Sequence, residues 1–412
     1  MNTKFFHAST ICRRRYNSLS SLKTADGIIL VGRDNIGNHL VHHFSSLFAS
    51  TQPIFDNFFT SLVDKVVIDD ENVSLCLIFD EKEIFLAISD LGLNKAPGSN
   101  GMIGLFYMSY GPIVKESVVN SVQSFFRGGF LLKEFNHTNI ALIPKIDNPH
   151  LVHYFRPISL INFNYIIISK ILSNRFKPIL HKIISPTQSA FLKGRSIHDN
   201  TILAHEVFHS MKQKKGNGGL MALKLDMEKA FDSMEWEFLL KILELLGFNS
   251  TWTHWIRQCI TTSSFSILLD GAHFGKFSPS RGLRQGDPLS HFLFILGVEI
   301  LSRLIEREES LGLIHGIKMA RMCPLISHLL FVDDVIIFSK ANPSEARAIL
   351  RCLNTYSTWS GQHINMSKSA IFFSKNCKSS TKDAVNGILH LTLIPSRAKY
   401  LGIPLFMHKS KK

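Results

Sequence analysis

Strict alternation of apolar and polar residues begins near Leu220 and ends on an aspartate. In the run LMALKLD, Met221, Leu223 and Leu225 point one way and Ala222, Lys224 and Asp226 the other, the period-two pattern of a half-buried strand. The pattern becomes helical through SMEWEFLLKILELLG, so the strand delivers Asp226 at its C-terminal end. A second helix, TWTHWIRQCI, follows, and FSILLDGAHFGKF (265–277) predicts a hairpin turning near Asp270 and Gly271. Upstream, NIALIPK (139–145) predicts a strand and FRPISLINF (155–163) a loop and strand. The spacing predicts a helix over 165–177 stopped by Pro178. Another is predicted over 199–215, with Asp199 near its start and glycines 216, 218 and 219 closing it. The glycine-bearing loop RGLRQGDPLS (281–290) runs into a helix with Pro288 in its first turn and one apolar face at 289, 293, 296, 300 and 304. Residues 342–361 predict a helix capped by Asn342, started by Pro343 and stopped by Gly361. Residues 1–90 are mixed and carry no chemical motif. The elements together make an α/β (α+β) chain.

One stretch resists a purely structural reading. SHLLFVDDVIIF (327–338) sets Asp333 and Asp334 side by side between two apolar runs. Alone, that is a hairpin turn signal. Like charges repel at close range, however, and no Lys or Arg lies between Pro324 and Ser339, so a metal ion is a candidate. Asp226 ends a strand in the same region. If strand and hairpin are sheet neighbours, three carboxylates converge, and such a cluster needs divalent cations. Two Mg²⁺ ions about 3.5–4 Å apart are the known device for in-line displacement at phosphorus, and Mg²⁺ is commonly held by only one or two carboxylates plus substrate phosphates.

Composition narrows the partners. The chain has 412 residues, 45% hydrophobic and 10% aromatic, enough for real cores and for two or three domains. A formal net charge of +14 favours an anionic partner, nucleic acid first. Residues 148–198 hold seven Lys/Arg and no acid, and residues 366–412 hold nine against the single Asp383, which reads as polyanion binding. The six cysteines show no close pairing, which indicates neither disulfides nor zinc and fits a reducing, intracellular compartment. No apolar stretch reaches the 18 or so residues of a membrane span. The acid-free start, with Arg13, Arg14 and Arg15, reads equally as a transit peptide or a basic arm.

KLDMEKAFD, RGLRQGDPLS and FVDD, in that order, resemble the palm motifs of the reverse transcriptase of LINE-type (non-LTR) retrotransposons, of the plant type. NTKFFHAST, KAPGSNG, ALIPK, FRPISL, QSAFLKGRSIHDN, SGQHINMSKSAIFFS and YLGIPL resemble further segments of that family, so the likeness covers nearly the whole chain. It implies a right-hand polymerase fold: an N-terminal linker and extension (1–93), fingers (94–219), a palm (220–345), and the end of the palm with the start of a thumb (346–412). Asp226, Asp333 and Asp334 would be the metal-binding triad for two Mg²⁺ (or Mn²⁺), with the backbone carbonyl of Met227 as a further ligand. Phe231 matches the steric gate over the sugar. Gln285 and Gly286 match the loop that packs on the incoming nucleotide, Lys145 and Arg156 the cations that reach its triphosphate, and Lys368 a lysine that protonates pyrophosphate. The implied partners are an RNA template, a DNA primer and deoxynucleoside triphosphates, with no membrane, and the implied compartment of an active copy is the nucleus.

Plainer readings stand beside these. Phe231 reads also as core, Gln285 as an ordinary polar loop residue, and Lys145 and Arg156 as generic phosphate contacts. Lys368 lies in a lysine-rich stretch. Asp232 and Asp287 read as structural, a helix-start residue and a helix cap. Ser99-Asn100, Tyr154, His291 and Val332 stand where the family usually shows Pro-Asp, Asp, Pro and Ala. On the same resemblance the chain starts inside the linker and stops after YLGIPL, without the endonuclease. The rival function is a catalytically silent, basic nucleic-acid-binding remnant.

Overall fold

The computed structural model describes residues 3–320 and 322–406. Lys409, Lys411 and Lys412 of the second basic stretch lie outside the described residues, as do the side chains of Arg14 and Arg15. In chain order the strands used below are β1 (His137–Pro144), β2 (Phe155–Ile161), β3 (Leu220–Glu228), β4 (Ser264–Leu269), β5 (Ala272–Phe277), β6 (His328–Phe331), β7 (Asp334–Lys340), β8 (His363–Ile364), β9 (Ala370–Phe373) and β10 (Thr392–Leu393). The chain folds as two units. The first comprises Met1–Ser50, Ile68–Phe176 and Phe248–Ser290; the second comprises Thr51–Val67, Lys177–Gly247 and His291–Lys412. Among the described residues no helix is long and apolar enough to cross a membrane.

The first unit is built on a four-stranded sheet in the order β2-β1-β4-β5, with β1 and β4 parallel and the outer pairs antiparallel. The β4–β5 turn forms where the sequence marks it: Asp270 and Gly271 both have positive φ, 51° and 85°, as a two-residue type I′ turn requires. The helix Arg33–Leu47, from a region without a chemical motif, covers this sheet. Its Ile36, Leu40 and Phe44 recur every four residues, and with Phe48 they bury against Ile140, Phe265 and Ile267. The loop containing KAPGSNG lies against Asn162, whose Oδ1 accepts from the Asn100 N–H and the Ser99 hydroxyl, each at 3.1 Å. Gly98 makes that approach possible, since a Cβ there would sit 2.4 Å from the Asn162 nitrogen.

The second unit centres on β3. Its sheet runs β6-β7-β3-β9-β10, and β8 also pairs with β3. Met221, Leu223 and Leu225 are buried as the alternation predicts, while Lys224 and Asp226 on the other face are half-buried. That second face is closed at its far end, where Ala222, Ile336 and Phe338 pack with Phe208, Met211 and Phe406. It opens toward Asp226. The helix Pro343–Ser360 has the ends the sequence marks. Asn342 Oδ1 accepts from the Glu345 N–H at 2.9 Å, and Gly361 terminates it at φ 72°.

Three expectations change. The helix Phe163–Ile183 runs through Pro178. An interior proline costs about 3 kcal/mol, but Ile179, Leu180 and Ile183 beyond it are buried, each worth roughly 1.5–3 kcal/mol, and burial wins. The helix Ile197–Gln213 keeps Asp199 in its first turn as expected, with the Ser196 hydroxyl accepting from the His198 N–H as its cap. After β3 the chain makes a turn, with the Asp232 N–H donating to Lys229 O at 2.8 Å, and the next helix is Trp236–Leu245; Asp232 is a buried turn residue and not a helix start. The helix expected from Pro288 begins at Ser290, and from Phe292 to Leu296 it is buried on every side instead of along one stripe.

Candidate active site

The antiparallel β3–β7 pairing sets Asp334 directly opposite Asp226. Asp333 sits beside them at the tip of the β6–β7 hairpin, whose two connecting residues are Val332 and Asp333. The three predicted carboxylates are therefore brought to one end of one sheet. Asp226 is pinned through its backbone: its N–H donates to Ser369 Oγ (3.1 Å) and its carbonyl accepts from the Asn365 N–H (2.8 Å).

Two lysines answer the repulsion. Lys368 Nζ lies 3.7 Å from Asp226 Oδ2, and Lys224 Nζ lies 3.6 Å from Asp334 Oδ1. Lys368 was legible in sequence; Lys224 was not singled out, although it shares a strand face with Asp226 two residues away. Its reach to Asp334 is a diagonal cross-strand contact that needs the register. The two cations do not cancel the problem. Burial, and after it the charges of Asp334 and Asp226, push the Asp333 carboxyl above its ordinary pKa, with Lys368 opposing. Burial likewise pushes Asp334 up, with Lys224 lowering it and Asp226 raising it.

Among the described residues no group of three or more acidic, histidine or cysteine side chains is gathered closely enough to hold an ion. The donor set is nevertheless the right kind for a hard divalent cation. It is all oxygen, carries three formal negative charges against two lysines, and is half-buried with its carboxylates repelling one another. Met227, next along β3, has a buried side chain and lies opposite Ile364 of β8. The half-exposed Phe231 ring stacks on the buried Phe294, with centroids 4.5 Å apart and planes within 11°.

The remaining candidates belong to the first unit. Arg156 is exposed on β2, opposite Ile143 of β1. Lys145 Nζ donates to the His153 carbonyl at 3.0 Å. Gly286 is exposed, with φ 103° and Ser159 of β2 as its neighbour, and Gln285 is half-buried. The residues on either side of this pair are its anchors. Arg284, almost fully buried, donates to Asn136 Oδ1 (2.5 Å), the Cys259 carbonyl (3.0 Å) and Asp287 Oδ2 (3.2 Å), and stacks over the Tyr165 ring. Asp287 also accepts from the Tyr165 and Ser169 hydroxyls and from the Leu289 N–H. Burial holds the Tyr165 pKa well above its usual range, so that hydroxyl remains a donor. The structural reading of Asp287 therefore holds, but as the floor of a loop more than as a helix cap. Replacing Asp287 by alanine strands a buried guanidinium and is expected to cost about 3–5 kcal/mol, read as a lowered urea midpoint.

The basic stretch 148–198 is only partly free for a polyanion. Arg175 makes two bonds to Glu83 (2.8 and 2.7 Å), Lys170 lies 3.4 Å from Asp90, and Arg195 donates to the carbonyls of Ile184, Ser185 and Gln188. The acids missing from that stretch come from elsewhere in the chain. Arg156, Lys177 and Lys193 remain exposed, as do Lys375, Lys378, Arg397 and Lys399 of the second stretch.

The acidic side chains thus lie paired across the central strands of a mixed sheet. The chain belongs to the reverse transcriptase (RNA-dependent DNA polymerase) family, whose model matches residues 143–405. An uncharacterized 149 kDa protein of the TX1 transposon of Xenopus laevis is 27% identical over 370 residues, covering 89% of this chain and 28% of that protein. A retrovirus-related Pol polyprotein from a type-1 retrotransposable element of Nasonia vitripennis is 26% identical over 245 residues, 60% of this chain and 22% of that one. This chain thus spans about a quarter of the length of these non-LTR retrotransposon relatives. An uncharacterized mitochondrial protein of Arabidopsis thaliana is 52% identical over 68 residues, 16% of this chain and 56% of that protein. Apo telomerase from Candida tropicalis aligns to 60% of this chain and 51% of its own, at 14% identity and a TM-score of 0.41.

Proposed function

We propose that this chain is the polymerase core of a LINE-type retroelement protein of the plant kind, adding deoxynucleotides to a primer 3′-hydroxyl on an RNA template. The observation that carries this is the β3–β7 register, which pairs Asp334 with Asp226 beside Asp333 in a chain of the reverse transcriptase family. The Arabidopsis likeness supports the plant assignment.

In this reading Asp226, Asp333 and Asp334, with the Met227 backbone carbonyl, hold two Mg²⁺ or Mn²⁺ ions. When bound, the ions supply Lewis-acid stabilisation at the attacking and leaving oxygens. The chain's own residues do the rest. Lys224 and Lys368 offset the carboxylate charge between turnovers. Lys368, the more exposed of the two, is the candidate to give a proton to pyrophosphate. Phe231 excludes the ribose 2′-hydroxyl. Gln285 and Gly286, held from below by Arg284 and Asp287, meet the incoming nucleotide, and Lys145 and Arg156 bind its triphosphate. Residues 94–219 serve as fingers, 220–345 as palm and 346–412 as the end of the palm and start of a thumb, with 1–93 the linker and extension.

Primer extension by the purified protein on an RNA template, with and without Mg²⁺, tests the reading. Mg²⁺-dependent extension supports it. Tight template binding with no extension under Mg²⁺ or Mn²⁺ leaves the silent remnant. Binding to primer–template is expected to weaken steeply with salt, log K falling by roughly 0.7–0.9 per phosphate contact per log unit of salt. Lys375→Gln or Lys399→Gln should each reduce that slope by about one; a flat salt response rejects phosphate-driven binding.

A further inference from the structure

The hairpin that carries Asp333 holds a β-branched residue in the left-handed region, Val332 at φ 57°. A valine there is disfavoured by crowding of its Cβ, and it persists only where its surroundings over-determine it. Those surroundings come from residues 187–200. The Leu330 N–H donates to Thr187 O (2.9 Å) and the Ser189 N–H donates to Leu330 O (3.1 Å), a short parallel bridge along the outer edge of β6. Asn200 Nδ2 adds a second donor to Leu330 O at 2.8 Å, and Thr187 Oγ1 lies 3.0 Å from Nε2 of the buried His328.

From the middle of this segment the side chain of Gln188, 1% exposed, reaches the hairpin tip. Its Oε1 accepts from the N–H of Val332 (3.3 Å) and of Ala190 (3.0 Å). Both partners are backbone donors, so the amide orientation follows from chemistry: the oxygen must face them. Gln188 Nε2 is then buried with no hydrogen-bond partner among the described residues. A buried donor without a partner is a net cost, and a methionine would fill the same volume without it. What an apolar residue could not do is accept the Val332 N–H.

We propose that Gln188 is a positioning residue, a clamp that holds Val332 in its left-handed turn and so fixes Asp333 and Asp334 toward Asp226. The proposal rests on the reading of those aspartates as the catalytic group, and its test separates the two. In Gln188→Met, amide hydrogen exchange at Val332 should speed up by roughly tenfold, the loss of one net hydrogen bond, while the β7 core amides of Ile336 and Ile337 keep their protection. Primer extension should lose about 10- to 100-fold in kcat through misplaced carboxylates, with nucleotide KM and template Kd within about twofold. Adding Val332→Gly, which accepts the left-handed conformation without strain, should restore most of that kcat. If Gln188→Met does not fold, Gln188→Asn withdraws the same acceptor by one methylene and stands in for it. Unchanged exchange at Val332, or a kcat loss that Val332→Gly fails to relieve, overturns the clamp. Should the unaltered chain never extend a primer, the polymerase reading falls, and the exchange result alone still decides for or against the clamp.

Discussion

In variants with asparagine at either hairpin carboxylate, Asp333→Asn or Asp334→Asn, primer extension is expected to fall by about 10³-fold or more, equivalent to about 4 kcal/mol of transition-state stabilisation. Template binding should stay within a factor of about two, because on the proposed reading the exposed lysines and arginines, and not these carboxylates, would meet the phosphates. The same substitutions have a signature without catalysis. Asp333 is raised above its ordinary pKa by burial and by two neighbouring carboxylates, so its ionised form destabilises the fold. The sign follows: the native state holds that proton more tightly than the unfolded chain, and stability declines as pH rises from the unfolded pKa through the native one. In EDTA at neutral pH, Asp333→Asn should therefore raise Tm. Asp334→Asn should gain less, since it also removes the partner of Lys224. Mg²⁺ should raise the Tm of the unaltered chain and do less for either variant. Equal extension by all three proteins, with equal response to Mg²⁺, would remove these aspartates from the chemistry.

The second large effect concerns the sugar. A polymerase making DNA must reject ribonucleotides, which differ by one added hydroxyl, and a hydrogen bond to that hydroxyl would favour the wrong substrate. Exclusion must be steric. Phe231 is half-exposed, five residues after Asp226, and its ring lies flat against the buried Phe294. The stacking partner fixes the plane of the partly open ring. Phe231→Ala is expected to raise ribonucleotide incorporation relative to deoxyribonucleotide by tenfold or more, which requires only about 1.4 kcal/mol between the competing transition states. The measurement is paired single-nucleotide incorporation on one RNA template. Unchanged selectivity in a folded, active variant would assign Phe231 to the core.

Most of the acidic centre was legible because its signals are local. Alternation in LMALKLD ends on Asp226, and two apolar runs flank Asp333 and Asp334. The capping of Pro343–Ser360 and the Asp270-Gly271 turn are local in the same sense: side chain and backbone within four residues decide them. What escaped depends on partners distant in sequence. Lys224 meets Asp334 only through a strand register spanning more than a hundred residues. The amide of Gln188 finds Val332 across a comparable gap. Arg175 and Arg195 look like free cations until Glu83 and a set of backbone carbonyls close on them. Pro178 reads as a stop because propensity weighs the lost hydrogen bond and is blind to the burial of Leu180. The helix from Ser290 lost its expected stripe for a related reason: periodicity marks a boundary with water, and between Phe292 and Leu296 there is none.

The parallel pairing of β1 with β4 bears on how this protein emerges from the ribosome. His137 lies opposite Ser264, so one side of β1 has no strand partner until about 120 more residues have been made. At roughly 5–20 residues per second that is about 6–24 s during which a nascent β1–β2 hairpin offers a bare edge rich in isoleucine and leucine. Within that interval the ribosome produces β3, whose own partners β7 and β9 come later still. Slow synthesis, or a stall before residue 264, should therefore favour aggregation over folding. Co-expression with a holdase chaperone that covers the bare edge, without slowing synthesis, is the condition under which the intact chain should be recovered in soluble form.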